Sequence, residues 1–442
     1  MTSKIIVNNI GSDSGINTVT FDSNVERGSS NLHSVGLEAA GINVLGADTP
    51  IGSGSTIYDD GGARFSGIVT ATAFHGDGSS LTGVGASFGN SSVNSSGIAT
   101  FSAFVPTTGQ LSHRNIIING AMTVAERGSS STTNGYGSVD RFLVQYSGTN
   151  EAPTQSQVDV ASGTTPYTLG FRKALRVTNG NQSGGAGSSD YIEIGHKIEA
   201  QDIANSGWNY TNTNSKITLS FWVKSSIAQN FYGYIRTRDG TSQNFCIETG
   251  SLSQNTWTKV TKTIIGNSAL QFDNNNGSGL EMYFTLFLGT DLTNNKSLNS
   301  WAAFDGTNHT PDQTSTWYTT NDATFEITGV QLEVGSVTTP FEHRNIGEEL
   351  SRCQRYFISG KAAIGSAYNG WGGNQIQGVY VSFPTTMRSG PTITFPTNHN
   401  SSNVSNVDYT QFESTTGFSY RVNLSGNGNY QRQSTYNASS EL

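Results

Sequence analysis

Charge is scarce in this chain: 24 Lys and Arg and 32 Asp and Glu among 442 residues, 13 % charged in all, leave a formal net charge of −8. Phosphate binding needs a clustered basic surface, and none is visible, so nucleic acid is not an expected partner. Only two cysteines occur, Cys246 and Cys353. They are too few for a disulfide framework and lack CxxC or Cys/His ligand spacing, so both read as small buried hydrophobes. No apolar run is long enough to cross a bilayer, which argues against membrane insertion. The opening MTSKIIVNN lacks a signal peptide's hydrophobic segment, so synthesis in a cytosol, without export by that route, is expected.

Catalytic signatures are missing as well. There is no phosphate-cradling Gly-Lys-Ser/Thr loop, no HExxH and no GxSxG, and the seven histidines form no pair at ligand spacing. The run Asp273-Asn274-Asn275-Asn276-Gly277 offers oxygen ligands but lacks the alternation and distal glutamate of a calcium loop, so it reads as a turn. No metal or cofactor is expected. Glycoside cleavage would need two carboxylates roughly 5 to 9.5 Å apart, and a sequence with 32 acids neither demonstrates nor excludes such a pair. The expectation is a protein that is not an enzyme, with a polysaccharide depolymerase as the rival.

What is abundant is glycine, 52 residues, with Ser, Thr and Asn filling the intervals between apolar runs. Short strands joined by turns suit that composition, because turns need Gly and Asn at positive φ and solvated sheet faces accept Ser and Thr. The fold class expected is mostly β, in two to four domains.

Residues 1–112 carry a loose repeat: Gly15-Ile16, Gly41-Ile42, Gly67-Ile68 and Gly97-Ile98 recur at intervals of 26, 26 and 30, and SGIVTATAF from Ser66 matches SGIATFSAF from Ser96. A unit this thin cannot bury its apolar face alone and must stack on neighbours or on copies in other chains, which predicts a homotrimer. A flexible Gly/Ser linker is the alternative, opposed by the strand-like alternation of Ile68, Thr70 and Thr72 against Val69, Ala71 and Ala73. From Asn115 to Val334 strands follow one another. Ile217, Leu219, Phe221 and Val223 alternate with Thr218, Ser220, Trp222 and Lys224, while Met282, Phe284, Leu286 and Leu288 alternate with Glu281, Tyr283, Thr285 and Phe287. Asn119-Gly120, Asn134-Gly135 and Asp239-Gly240 suit tight turns. One large sandwich is expected.

Between Phe325 and Phe357 the pattern changes three times. Phe325, Ile327, Val330, Leu332 and Val334 mark a closing strand. Thr338, Thr339 and Pro340 break the ladder. Ile346, Leu350, Cys353 and Phe357 then take helical spacing, with Asn345 as cap and Glu348 placed to return the bond. Residues 358–442 follow as a small β module of six short strands, clearest at Ile376 to Phe383 and Pro391 to Phe395.

The segment VQLEVGSVTTPFEHRNIGEELSRCQRYF resembles a junction in tail-fibre and receptor-binding proteins of tailed bacteriophages, where a strand closes a carbohydrate-binding-like jelly roll and a helix leads into a terminal β domain. RNIIINGAMTVAERG at 114–128 and VSFPTTMRSGPTITF at 381–395 match in the same order, as does the closing Glu441-Leu442, and SFWVKSS with WTKVTKTI resembles carbohydrate-binding modules. The stretch ARFSGIVTATAFHGDGSSLTGV is similar to repeats in fibre proteins of marine cyanobacterial phages, where trimers are usual. The resemblance implies a trimeric tail fibre in the virion, made in the host cytoplasm. Its layout would be a virion-attachment region (1–62), a thin Gly-rich β repeat shaft (63–112), a jelly-roll-like β-sandwich (113–340), a linker and helix (341–357) and a C-terminal β head (358–442). Its partners would be a phage tail, adaptor or baseplate protein and host surface polysaccharide or lipopolysaccharide. A purely structural fibre or neck appendage is the further alternative. Two departures stand out: Glu126 replaces a more usual Gln, and Phe142 a frequent Trp. Glu126 is expected to pair with Arg127 or Arg141.

Sugar recognition asks for a flat aromatic ring beside short amide and hydroxyl groups. Of six tryptophans, Trp208 and Trp257 are expected to pack in the core or at an edge. Trp222 points away from Phe221 to an outer or concave sheet face, where sugar contact and packing are equally open. Trp301 and Trp317 lie in the polar stretch SLNSWAAFDGTNHTPDQTSTWYTT, where a large ring has little core to enter. Trp371, set among Gly370, Gly372 and Gly373 with Tyr368 and Asn374 nearby, is the foremost glycan-binding candidate, and a contact at a three-fold axis is its alternative.

Overall fold

The computed structural model describes residues 49–50, 55–57, 62–65, 112–368, 375–408 and 413–442. The described residues form twenty-one strands and four short helices, so the chain is mostly β. Thr49–Pro50, Ser55–Ile57 and Ala63–Phe65 make a small antiparallel sheet of their own. The repeated Gly-Ile units and the alternation after Ile68 lie outside the described residues.

The sandwich pairs two six-stranded antiparallel sheets. The first runs Trp301–Ala303, Gln243–Ser251, Asn230–Thr237, Ser278–Leu288, Tyr191–Glu199, Phe142–Ser147. The second runs Thr258–Ile265, Lys216–Ser225, Thr324–Val334, Lys173–Thr178, Thr154–Asp159, Ser130–Ser131. Side chains alternate across a strand, so the odd-numbered set Ile217, Leu219, Phe221 and Val223 enters the space between the sheets, each 1 % exposed or less. There Phe221 meets Phe284 edge-on at 4.9 Å and Phe231 meets Phe325 at 5.0 Å. Phe142, the smaller ring at its position, is fully buried against the His196 imidazole. Both cysteines are buried and free.

Two strands depart from simple alternation, each for a visible reason. In Ser278–Leu288 both faces are buried, because residues 289–313 cover the outer face: Gln313 donates to Thr285 at 2.8 Å and Asn244 to the His309 carbonyl at 3.1 Å. Thr324–Val334 is buried on both faces, and its core-facing apolar set shifts phase from Phe325 and Ile327 to Val330 and Leu332. The pairing with Lys216–Ser225 slips by one residue between Thr328 and Gln331, and Gly329 takes φ 64°. This is a β-bulge, which turns successive side chains back to the same face.

The helix Ile346–Gln354 begins as expected, with the Asn345 side chain accepting from the Glu348 N–H at 2.9 Å. The reciprocal bond is replaced: the Glu348 carboxylate takes Arg352 at 3.0 Å and Arg344 at 3.8 Å. The buried stripe also differs from expectation. Ile346 is exposed and Phe357 starts a strand, while Glu349, Cys353 and Tyr356 are buried. Glu349 tolerates burial because its carboxylate accepts the Asn119 N–H and faces Arg344.

Six strands follow, in two three-stranded sheets: Phe357–Tyr368, Gly428–Ser439, Thr392–Ser402, and Ile376–Ser382, Gly417–Leu424, Val404–Asp408. Their core gathers Phe383, Phe418, Tyr420, Val422 and Tyr436. Sandwich, helix and this head interlock around a buried charge cluster. Arg127 pairs with Asp140 at 2.6 Å and with Glu441 at 3.0 Å, and Arg141 pairs with Glu441. The guanidinium of Arg127 lies over the Phe357 ring, that of Arg141 over Tyr356. Leu442 packs with Ile118, Val124, Leu350 and Tyr356. Glu126 was expected to pair with Arg127 or Arg141, but Asp140 and Glu441 already occupy both. Glu126 instead accepts from Gln354 at 3.2 Å, and burial, the largest influence, raises its pKa.

Candidate functional site

A groove of about 410 Å³ opens on the outer face of the second sheet. Its floor is Trp222, sent outward because Phe221 and Val223 point inward. Lys259 stands directly across from Trp222 on the neighbouring strand, and Ser220 lies two residues along. The bulge at Gly329 makes the space: a Cβ there would come within 2.7 Å of Phe171 and 3.2 Å of Trp222. One wall is the turn that carries Leu169 and Phe171. The other is the connection from Thr338 to His343, which folds back over the sheet.

The walls are held firmly. Phe171 meets Phe341 edge-on at 4.9 Å and lies 5.1 Å from His343, whose Nε2 donates to the Leu169 carbonyl at 2.9 Å. Thr339 is fastened to the buried Glu333 carboxylate through its N–H at 2.8 Å and its hydroxyl at 2.6 Å. Lys259 donates to Thr338 at 3.2 Å. Beside the groove on the same face, Glu326 is neutralised by Arg176 and Lys224, each at 2.7 Å. The groove thus offers a half-buried indole, an ammonium and several hydroxyls on a rigid frame, and none of its described lining residues is a carboxylate. Such a surface can hold a flat, partly apolar, hydroxyl-rich ligand.

The remaining candidates lie elsewhere. Trp301 is half-buried at the edge of the first sheet, its ring 5.2 Å from Phe245 and its Nε1 donating to the Ile265 carbonyl at 2.7 Å. Trp317 sits on the short helix Thr316–Thr319 and is fully buried in the sandwich core. The expectation of a loop ring with little core to enter fails for it, because the helix turns that ring inward and Gln229 accepts its backbone N–H at 3.0 Å. Tyr368 is half-buried at the end of its strand against the head core. Trp371 and Asn374 lie outside the described residues. Trp208 packs in the core, and Trp257 joins the cluster beneath the groove. Sequence reasoning found Trp222 and missed Phe171, Lys259, Phe341 and His343. The only local signal for the last two was the Pro340-Phe341 step, which reads equally as a connection.

The covered face of the first sheet is also polar. Tyr234 stacks on Tyr283 at 4.9 Å, and His309 tilts against Tyr234 at 4.9 Å. Glu193 accepts from Gln145 at 2.9 Å, and burial pushes its pKa up to about 7. Burial, with Arg236 nearby, pulls His309 down to about 4.

No protein-family model and no curated protein matches the chain. Among solved structures it is similar to the N-terminal cellulose-binding domain of a Cellulomonas fimi glucanase, 11 % identical over 49 % of this chain and 99 % of that one, TM-score 0.24. It is also similar to a xylan-binding domain from Paenibacillus barcinonensis, 10 % identical over 48 % and 96 %, TM-score 0.23. A family 11 carbohydrate-binding module from Clostridium thermocellum in complex with a mixed-linked tetrasaccharide is 10 % identical over 48 % and 98 %, TM-score 0.22.

Proposed function

We propose that this protein is a virion tail fibre that adheres to host surface glycan. The observation that carries the binding part is the Trp222 groove: an aromatic floor beside Lys259, Ser220 and Thr338 suits a pyranose face and its hydroxyls. The fibre part rests on the three ordered segments. Two of these, at 114–128 and 330–357, meet in one buried cluster with Glu441 and Leu442, which supports reading them as a unit. In this reading residues 1–62 dock to a tail, adaptor or baseplate protein, the repeat region forms a homotrimeric shaft, and the sandwich and head face the host. The protein binds polysaccharide or lipopolysaccharide without cleaving it. Antibody raised against the purified chain should label the tails of purified particles and block their adsorption. Unlabelled particles would remove the fibre role, and oligosaccharides released from host polysaccharide would make the protein a depolymerase instead.

A further inference from the structure

We propose that the head carries a second site, built around Arg432, for a saccharide bearing an anionic group, a carboxylate or a sulfate. Alternate residues of Gly428–Ser439 face inward between the two head sheets: Tyr430, Ser434, Tyr436 and Ala438 are all buried. Arg432 falls in that inward set, opposite the partly buried Ile364. A cation aimed between two sheets ordinarily has a carboxylate to meet it. Arg432 has none: its Nε is buried and unbonded, and no ion pair among the described residues includes it.

It opens instead onto a cavity of about 400 Å³ lined also by Phe395, Asn398, Val404, Ser405 and Asn406. Both strands that line it with Arg432 are irregular: Thr392–Ser402 slips register twice, between Thr394 and Thr397 and between Asn398 and Asn400, and Val404–Asp408 slips once. The other described lining residues bring amides, hydroxyls, two valines and an aromatic ring, with no acid among them. A guanidinium holds a carboxylate or sulfate through two parallel hydrogen bonds. The amides and hydroxyls serve a sugar's hydroxyls and the ring its apolar face. The choice of a saccharide to carry the anion rests on the glycan-binding reading above. The anion preference of the head cavity rests on Arg432, and its loss in Arg432→Gln distinguishes it from any contribution of Lys259 in the Trp222 groove.

The test is calorimetric titration of the full chain, of Arg432→Gln and of Trp222→Ala with three oligosaccharides: tetragalacturonate, a carrageenan tetrasaccharide and cellotetraose. The expected result is that one charged ligand binds the natural chain more tightly than cellotetraose. Arg432→Gln should weaken that binding on the order of tenfold to a hundredfold, and Trp222→Ala should leave the charged preference in place. Which charged ligand binds separates carboxylate from sulfate. Equal binding of charged and neutral ligands overturns this inference and leaves the Trp222 reading standing, whereas no binding of any ligand counts against both. If Arg432→Gln does not fold, phenylglyoxal modification of Arg432 in the natural chain replaces it. Modification slowed by the bound charged ligand supports the site, and an unchanged rate overturns it.

Discussion

Arg141 and Glu441, 300 residues apart in the sequence, meet as a buried ion pair beneath the helix that joins sandwich to head. Arg141 is fully buried, its guanidinium lies over the Tyr356 ring, and its other Nη donates to the Lys197 carbonyl. Arg127 shares Glu441 but keeps Asp140 as a second partner. Arg141 therefore depends on Glu441 for its charge balance.

Glu441→Gln leaves an uncompensated buried cation, for which a loss of about 3 to 5 kcal/mol is expected. Denaturant unfolding of the variant should show it as a lower midpoint. A midpoint equal to that of the natural chain would mean that Glu441 does not hold the junction.

Gly329→Ala should cost about 1 to 3 kcal/mol, since a non-glycine residue at φ 64° is strained and its Cβ would strike Phe171. Because Trp222 is the next neighbour, glycan binding should weaken together with the melting temperature. Loss of stability with undiminished binding would separate the bulge from the groove.

Stability should fall between about pH 4.5 and pH 7 through Glu193. Its folded pKa, about 7, lies above the ordinary 4.5, so the folded state holds the proton more tightly and stability declines as pH rises through that window. His309 works in the opposite sense: its folded pKa, about 4, lies below 6.5, so its contribution is lost as pH falls from 6.5 toward 4. Glu193→Gln removes the first effect and should stabilise the protein at pH 8 by up to about 3 kcal/mol. Parallel melting curves from pH 4.5 to 8 decide it, and a variant that loses stability at pH 8 contradicts the assignment.

Much of this architecture was legible locally. The slip of the apolar phase between Ile327 and Val330 is the bulge written in sequence, and Asn345 with the following N–H reads as a cap because that bond spans only three residues. What was not legible depends on distant cover. Trp317 sits in a polar segment, and only the sandwich closing around it makes it core. Glu348 was expected to reach back to the cap, but Arg344 and Arg352 flank it one turn away on either side. Trp222 could be assigned to an outer face from alternation alone. Its walls come from residues near 170 and 340, which no local pattern ties to it.

A homotrimer predicts particles of three times 47.0 kDa in mass photometry of the purified chain. Particles of a single chain mass in dilute buffer would contradict the stacked-repeat reading of residues 1–112.

Whether the Trp222 groove holds glycan is decided by a glycan array probed in parallel with the natural chain, Trp222→Ala and Trp222→Phe. Loss of one stacked ring is worth roughly 0.5 to 1.5 kcal/mol, about a twofold to tenfold weaker binding of each positive glycan to Trp222→Ala. Trp222→Phe keeps a ring in place and should retain most of the signal. Positive glycans bound equally by all three proteins, with melting temperatures unchanged, would contradict the claim.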